Sequence, residues 1–391
     1  MSEQEIYQRL VEWLRQGWVD LPDADELIPL VMATCTPEEA SLLTGMPFSG
    51  RNLEELAEMK GVDPNELRQR LDVLAKKGVV FRTVKEDTIR YSLNDVIFTF
   101  YRSAFWPGRT DDRSKAMAPP ANQYYYHGFW GPHKNTHLKN LRVLPIYETI
   151  EDTRTILPYE AALKLLDAWD YFTVTSCACR HRKRVDPDFH ECDYPDKVCL
   201  HFGRLGHYIV ENDLGREITR EETEELLRQS AEAGLVHSVG NFKEPGDTIC
   251  NCCKCCCMFF EPVHKLGHAQ GITPSSFIVH NNPKTCVGCG LCVKRCPMEA
   301  IRLEDSPEAK DRITVVTDED KGAQKELKNK KGRVSVVNTD ICVGCGVCAY
   351  KCPTKSLTMT QRDVIEEPPD TAREWSKLLA EDIAATWDRG E

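Results

Sequence analysis

The grouping of its cysteines constrains this 391-residue chain more than any other feature of the sequence. Of nineteen cysteines, only Cys35 stands alone, and the others fall into three groups along the chain. A disulfide-rich secreted scaffold is short and carries a signal peptide, whereas this chain is long and begins with polar, acidic residues. Dense groups of cysteines in a reducing compartment instead indicate metal thiolates. We therefore expect a cytoplasmic metal-binding protein.

The overall charge limits the classes of partner. Lys and Arg total 50 and Asp and Glu total 61, which gives a formal net charge of −11. A nucleic-acid-binding protein needs a cationic surface, so this balance argues against a general nucleic-acid binder. No apolar run approaches the roughly 18 residues that a membrane helix needs, so the sequence predicts no membrane span.

Two matching runs near the carboxyl end of the chain carry the most specific signal. Residues 286–297 and 342–353 both read C-x₂-C-x₂-C-x₃-C-P, which makes them an internal repeat. The repeat resembles the ligand runs of bacterial two-cluster ferredoxins, in which the fourth cysteine of each run serves the cluster of the other run. A zinc site would need only four thiolates, not eight in two matched runs. The resemblance implies two [4Fe–4S] clusters with two ligand sets: Cys286, Cys289, Cys292 and Cys352, and Cys342, Cys345, Cys348 and Cys296.

The segment between the two runs departs from a compact ferredoxin. Forty-five residues separate Cys296 from Cys342, and residues 304–333 are largely charged. Two interpretations stay open at this point. The segment is either a solvated β-hairpin or loop insertion, or an element that docks an electron-transfer partner.

The central part of the chain carries ten further cysteines. Residues 171–176 are aromatic and β-branched, which predicts a strand that runs directly into Cys177 and Cys179. Six cysteines fall within residues 250–257, a density that core packing does not explain. Because adjacent cysteines point in different directions, they cannot all bind one metal, so we expect one or two further iron–sulfur clusters, with zinc as the alternative. The candidate ligands are Cys177, Cys179, Cys192, Cys199, Cys250, Cys252, Cys253, Cys255, Cys256 and Cys257. Cys177 and Cys179, acting with several cysteines of residues 250–257, are favoured.

Five basic residues, 180–184, follow this cysteine pair directly. They would offset the negative charge of a cluster or dock an acidic ferredoxin or flavodoxin, unless they form an exposed loop without a role. The pairing of a CxCR block with an ICNCC-x-CCC block resembles uncharacterised iron–sulfur proteins of anaerobes. That resemblance implies cluster binding and does not indicate a substrate.

The amino-terminal 100 residues contain no cysteine group. Their pattern predicts a helix after Asn52, a second helix from Pro64, and two strands at residues 79–84 and 88–93. This order resembles a winged helix-turn-helix. The segment has 11 basic and 18 acidic residues, a net charge of −7, so docking or intramolecular packing is favoured over DNA binding.

Together these patterns predict an α+β fold in five segments. They are a winged-helix-like domain (1–100), an aromatic and proline-rich connecting arm with a helix (101–170), a central cysteine-rich cluster domain (171–275), a two-cluster ferredoxin-like domain (276–360) and an amphipathic helix (361–391).

The favoured function is electron transfer. The chain would relay low-potential electrons to or from a redox partner, which is a ferredoxin, a flavoprotein or a larger oxidoreductase subunit. One alternative is a reductase with a substrate-binding central iron–sulfur site. A second alternative is a redox sensor with a DNA-binding winged helix. The sequence carries no nucleotide-binding motif, it leaves open whether the protein is an enzyme, and it identifies no catalytic residue.

Overall fold

The computed structural model describes residues 2–18, 21–189, 192–267, 271–317 and 322–387. The helices are α1 Glu3–Leu14, α2 Leu27–Thr34, α3 Pro37–Leu43, α4 Leu53–Lys60, α5 Pro64–Lys76, α6 Asp112–Tyr124, α7 Ala162–Leu166, α8 Ala178–Val185, α9 Gly203–Glu211, α10 Arg220–Ala233, α11 Glu261–Lys265, α12 Leu291–Arg295, α13 Val347–Tyr350 and α14 Ala372–Thr386. The strands are β1 Arg51–Asn52, β2 Val80–Lys85, β3 Thr88–Leu93, β4 Leu141–Val143, β5 Phe172–Thr175, β6 Cys199–Phe202, β7 Arg216–Ile218, β8 Val236–Gly240, β9 Thr248–Cys252, β10 Ile272–Thr273, β11 Phe277–Asn281, β12 Ile301–Asp305, β13 Ile313–Thr317, β14 Gln324–Lys328, β15 Arg333–Val337 and β16 Leu357–Gln361.

The chain divides into two compact units. The first consists of Met1–His137, Asp170–Thr223 and Leu378–Glu391, and the second of Leu138–Trp169 and Glu224–Lys377. Each unit combines separate stretches of chain, so this division does not follow the five consecutive segments that we predicted. The central cysteine-rich segment, for example, contributes β5, β6 and β7 to the first unit and β8 and β9 to the second.

The first unit begins with helices and a small antiparallel sheet of strand order β1-β3-β2. Asn52 caps α4, since its side chain accepts a hydrogen bond from the Glu55 amide at 2.8 Å. Pro64 opens α5 at a position where a missing N–H costs nothing, and the apolar side of α5 is buried. The helices and strands that we expected in this segment are therefore present within one or two residues of their expected bounds.

The aromatic residues of the expected connecting arm lie in the interior of the first unit. Tyr101, Trp106, Tyr125 and Phe129 are all at most 2% exposed. Tyr101, Tyr125 and Phe129 belong to the irregular helical turns Phe98–Arg102 and Tyr125–Phe129 on either side of α6, and Trp106 follows the first of these turns. These side chains provide much of the apolar core of the unit.

A second antiparallel sheet of the first unit has the order β6-β5-β7. The observed β5 matches the strand predicted at residues 171–176, and it leads directly into α8. Cys199 at the start of β6 pairs with Thr175 at the end of β5. The sheet therefore brings the start of β6 next to the cysteine pair that follows β5.

The second unit contains a sheet of order β10-β4-β8-β9, in which only the β10–β4 pair is parallel. Its carboxy-terminal part consists of the two-stranded pairs β11–β16, β12–β15 and β13–β14. The charged segment between the two cysteine runs forms the hairpin β13–β14, and its residues 318–321 lie outside the described residues. The expected amphipathic carboxy-terminal helix corresponds to α14, and residues 388–391 are likewise not described.

Among the described residues, no helix is both long enough and apolar enough to span a membrane.

Candidate metal centres

The two repeated cysteine runs of the second unit form two separate cavities. The first cavity is lined by Cys286, Cys289 and Cys292 of the first run and by Cys352 of the second run. The first three residues lie in a loop and in the first turn of α12, which starts just after Gly290. Cys289 is exposed, whereas Cys286 and Cys292 are buried.

The second cavity repeats this arrangement with the two runs exchanged. It is lined by Cys342, Cys345 and Cys348 of the second run and by Cys296, which caps the end of α12. Helix α13 takes the place that α12 has in the first cavity. The structure thus groups the eight cysteines into the two sets of four that the resemblance to two-cluster ferredoxins implied.

Glycine is required at the same place in both runs. Gly288 and Gly344 have positive φ angles of 61° and 66°, which side-chain-bearing residues rarely adopt. A Cβ on Gly288 would lie within 3.0 Å of the carbonyl oxygen of Arg333, and one on Gly344 would lie within 3.0 Å of that of Phe277. Each cysteine loop is therefore packed against the backbone of a neighbouring strand, which fixes its position.

Burial makes the thiols of these cavities unfavourable as isolated anions. It raises the pKa of Cys345 to about 12 and that of Cys292 to about 11. Metal ligation requires the thiolate, so a cationic group must compensate the charge in each cavity. Four thiols around one cavity match a cubane cluster with one thiolate per iron. The donor set therefore fits a [4Fe–4S] cluster at each cavity.

Two four-cysteine cavities that exchange the fourth cysteine of each run define the class of two-cluster iron–sulfur domains. Residues 285–356 match a family model described as a 4Fe-4S dicluster domain. Ferredoxin-3 of Rhodobacter capsulatus is 28% identical over 82 residues, which are 21% of this chain and 79% of that protein. Putative ferredoxin-3 of Sinorhizobium fredii (strain NBRC 101917 / NGR234) is 33% identical over 81 residues, 21% of this chain and 75% of the relative. Through this part of its sequence, the chain belongs to the ferredoxin family, and it is an iron–sulfur protein of the electron-transfer type.

A shorter similarity extends to Protein Pixie of Drosophila melanogaster. It is 43% identical over 47 residues, which cover 12% of this chain and 8% of that protein. No solved structure matches the chain.

A third group of thiols lies in the first unit. Cys177 caps the start of α8, and Cys179 follows in its first turn. A hydrogen bond with Cys179, and then burial, raises the pKa of Cys177 well above its ordinary value, and the charge of Cys199 acts in the same direction. Cys179 and Cys199 therefore both lie close to the Cys177 thiol. Cys192 of the same unit is buried in the stretch between α8 and β6.

The dense cysteine segment of the second unit divides into two groups. Cys250 and Cys252 lie two residues apart on β9, and hydrogen bonds with Cys250 and Cys257 raise the pKa of Cys252 well above its ordinary value. The second group has its Sγ atoms within 4.8 Å of one another: Cys253, Cys255 and Cys256. This division agrees with the expectation that the six thiols cannot share one metal. The two-residue spacing of Cys250 and Cys252 could have predicted that these two thiols belong to one group, because alternate residues of a strand share a face.

The basic run after the CxC pair is not an exposed loop. It forms α8, in which Arg180, His181, Arg182 and Lys183 are all at most 3% exposed. The interpretations of these four residues as an exposed loop or as a docking surface are therefore wrong. The positive charge of Arg180 lowers the pKa of Cys177, against the other influences on that thiol. Charge compensation is the interpretation that this burial favours.

Proposed function

We propose that this protein is a multi-cluster electron-transfer protein or subunit. Two [4Fe–4S] clusters occupy the two four-cysteine cavities of the second unit, and one or two further clusters use the central cysteines. The observation that carries the proposal is the exchange of Cys296 and Cys352 between the two cavities. When bound, such clusters supply one-electron chemistry.

The central clusters are proposed from three groups of three cysteines. Cys177, Cys179 and Cys199 form a group in the first unit, and residues 250–257 provide two groups in the second. Arg180 is buried beside the first group, and its positive charge would offset part of the negative charge of thiolates there. Zinc remains the competing occupant, since it is also bound by thiolates.

Iron and acid-labile sulfide per chain test the proposal directly. On protein purified without oxygen, two cubanes give about eight of each, and one or two more give about twelve to sixteen. A content near eight, with zinc present, would contradict the central clusters and leave the two ferredoxin-type clusters standing. Absence of iron from the carefully reconstituted chain would contradict the whole proposal.

We propose that the redox partner docks beside the first cavity. Cys289 is exposed there, and the neighbouring hairpin β13–β14 carries Ile313 and Val315, which are 54% and 56% exposed. The Arg312 side chain joins this hairpin to the cavity, because it donates to the Cys286 carbonyl oxygen at 2.9 Å. Exposed cations on and after β14 suit an acidic ferredoxin, flavoprotein or oxidoreductase subunit: Lys325, Lys330 and Lys331, with Lys328 paired to Asp311.

The strength of this docking should depend on salt. Reversing charges with Lys330→Glu and Lys331→Glu should slow electron transfer to an acidic ferredoxin and weaken the dependence on ionic strength. The same two reversals should leave transfer to a small uncharged mediator unchanged. Equal rates with the acidic ferredoxin in both proteins would contradict this docking surface.

We propose that the amino-terminal segment is a winged-helix-like module used for protein docking or packing. The strand order β1-β3-β2 around α4 and α5 supports this assignment. The basic residues of α5 lie beside acids, since Arg68 pairs with Asp72 and Arg70 with Glu66. That pairing and the acidic segment leave little charge for phosphate contact. A tight DNA mobility shift that weakens steeply with salt would instead support a sensor.

A further inference from the structure

A cavity of about 190 Å³ lies in the first unit, apart from the cysteine-lined cavities of the second. Its inner wall is the carboxyl end of β5 with Ser176, together with Trp106. Its rim carries three basic side chains and one acidic residue: Arg109, Lys197, Arg216 and Asp213. Ser176 immediately precedes Cys177, so the cavity adjoins the CxC pair along the chain.

The rim has an excess of positive charge in a chain whose net charge is −11. Arg216 is paired with Glu222, which offsets its charge. Arg109 donates to the main-chain carbonyl oxygen of Asp213 at 3.4 Å and not to its carboxylate. Within the described part of the chain, neither Arg109 nor Lys197 forms an ion pair; with Asp213 also at the rim, one positive charge there is left uncompensated.

The inner wall is rigid and offers a hydroxyl group. Trp106 is 1% exposed, packs on the His201 ring with centroids 4.4 Å apart, and accepts a backbone hydrogen bond from Ser176 at 2.9 Å. The Ser176 side chain makes no hydrogen bond in the described residues. Gly108 lies against it, since a Cβ there would come within 3.0 Å of the Ser176 hydroxyl oxygen.

We propose that this cavity binds a small organic carboxylate. Arg109 and Lys197 would hold the carboxylate, the Ser176 hydroxyl would donate to it, and the apolar part of the ligand would lie against Pro107, which is half-buried in the same lining. The proposal goes beyond electron transfer, because binding needs no iron.

Calorimetric titration of the full chain, with its clusters intact and without oxygen, tests the proposal. The probe is benzoate, and benzyl alcohol is its uncharged counterpart of similar size. Because a hydrogen bond to a charged group contributes about 1.5–3 kcal/mol, Lys197→Met and Arg109→Met should each weaken benzoate binding by about tenfold or more. Lys115→Met removes an exposed cation of α6 that does not line the cavity and should leave the affinity unchanged. Benzyl alcohol should bind far more weakly than benzoate.

Four outcomes would overturn the proposal. They are the absence of benzoate binding at concentrations well above 1 mM, equal affinity for benzyl alcohol, unchanged affinity in both rim variants, or tighter binding of inorganic phosphate than of benzoate. Iron content is measured on every variant. A loss of binding at constant iron content reports on the cavity, whereas a change in iron reports on the clusters, so failure of one proposal is distinguishable from failure of the other.

Discussion

Arg142 and Glu160 form a buried ion pair in the second unit, with Nη1 and Oε1 2.9 Å apart and side chains 1% and 0% exposed. The Glu160 carboxylate also accepts the Ser276 amide with both oxygens, at 3.1 and 3.0 Å. The neighbouring Ser275 hydroxyl donates to the Gly344 carbonyl oxygen at 2.6 Å. The pair therefore supports the backbone on which the second cysteine loop rests.

Removing the cation of this pair should destabilise the second unit. Arg142→Met leaves the Glu160 carboxylate buried without its cation, which typically costs about 3–5 kcal/mol. Amide hydrogen exchange at Ser276 should accelerate accordingly. The matched control is Arg154→Met, since Arg154 pairs with Asp152 at the surface and its side chain is 88% exposed. Equal exchange at Ser276 in both variants would contradict the supporting role.

The exchanged cysteines predict a specific pairing of phenotypes. Cys296→Ala should perturb the same electron paramagnetic resonance signal as Cys342→Ala, although the two residues belong to different runs. Cys352→Ala should likewise perturb the signal that Cys286→Ala perturbs. Cys35→Ala is the control that leaves both signals intact. If Cys296→Ala instead affects the signal of Cys286→Ala, each run holds its own cluster.

The central cysteines should contribute iron of their own. Cys253→Ala removes one of three thiols that lie within 4.8 Å of one another. We expect iron to fall by about four per chain, the content of one cubane, while both ferredoxin-type signals persist. Unchanged iron with a loss of zinc would show that this group holds zinc.

The two loop glycines should tolerate no side chain. Gly344→Ala places a Cβ within 3.0 Å of the Phe277 carbonyl oxygen, so the loop must shift and the second cluster should be lost. Gly61→Ala is the matched control, because Gly61 has a similar φ of 64° but open space around its Cα. Gly61→Ala should lower the free energy of unfolding by only about 1–2 kcal/mol, the cost of a side chain in the left-handed conformation, and should keep its iron. Equal iron content in both variants would contradict the close-packing argument.

Cys35 predicts a pH dependence that is independent of the clusters. Burial raises the pKa of this thiol from 9.0 to about 12, so the folded state keeps the proton that the unfolded state loses. Its contribution to stability is complete well below pH 9 and declines as the pH rises above 9, with a slope that approaches about 1.4 kcal/mol per pH unit. The free energy of unfolding should therefore fall less between pH 8 and pH 10 in Cys35→Ala. If the free energy of unfolding changes with pH in the same way in both proteins, the raised pKa of Cys35 is contradicted.

The sequence was sufficient to predict those features that depend on residues close together in the chain. The spacing around Cys286 and Cys342, together with the known exchange of fourth cysteines in ferredoxins, anticipated both cavities. Capping at Asn52 and the proline at residue 64 likewise gave the helix starts, since the residues that cap a helix are its sequence neighbours.

Features that depend on distant contacts were not predictable in this way. Arg182 looked like a surface residue, yet its guanidinium lies 4.9 and 5.0 Å from the ring centroids of Tyr101 and Tyr125. No local pattern connects these residues, because they belong to separate stretches of chain that meet only in the folded unit. The cavity at Trp106 was not predictable for the same reason, since Arg109, Lys197 and Arg216 come from separate stretches of chain.

The exchange of cysteines between the two cavities has a consequence for biosynthesis. The first cavity lacks one of its four thiols until Cys352 has been translated, although Cys286 is made long before. A nascent chain therefore exposes an incomplete, thiol-rich binding site throughout the synthesis of β12 to β15. Both cavities become complete only when the last cysteine of the chain emerges, so metal loading should be a nearly simultaneous, post-translational event for the pair.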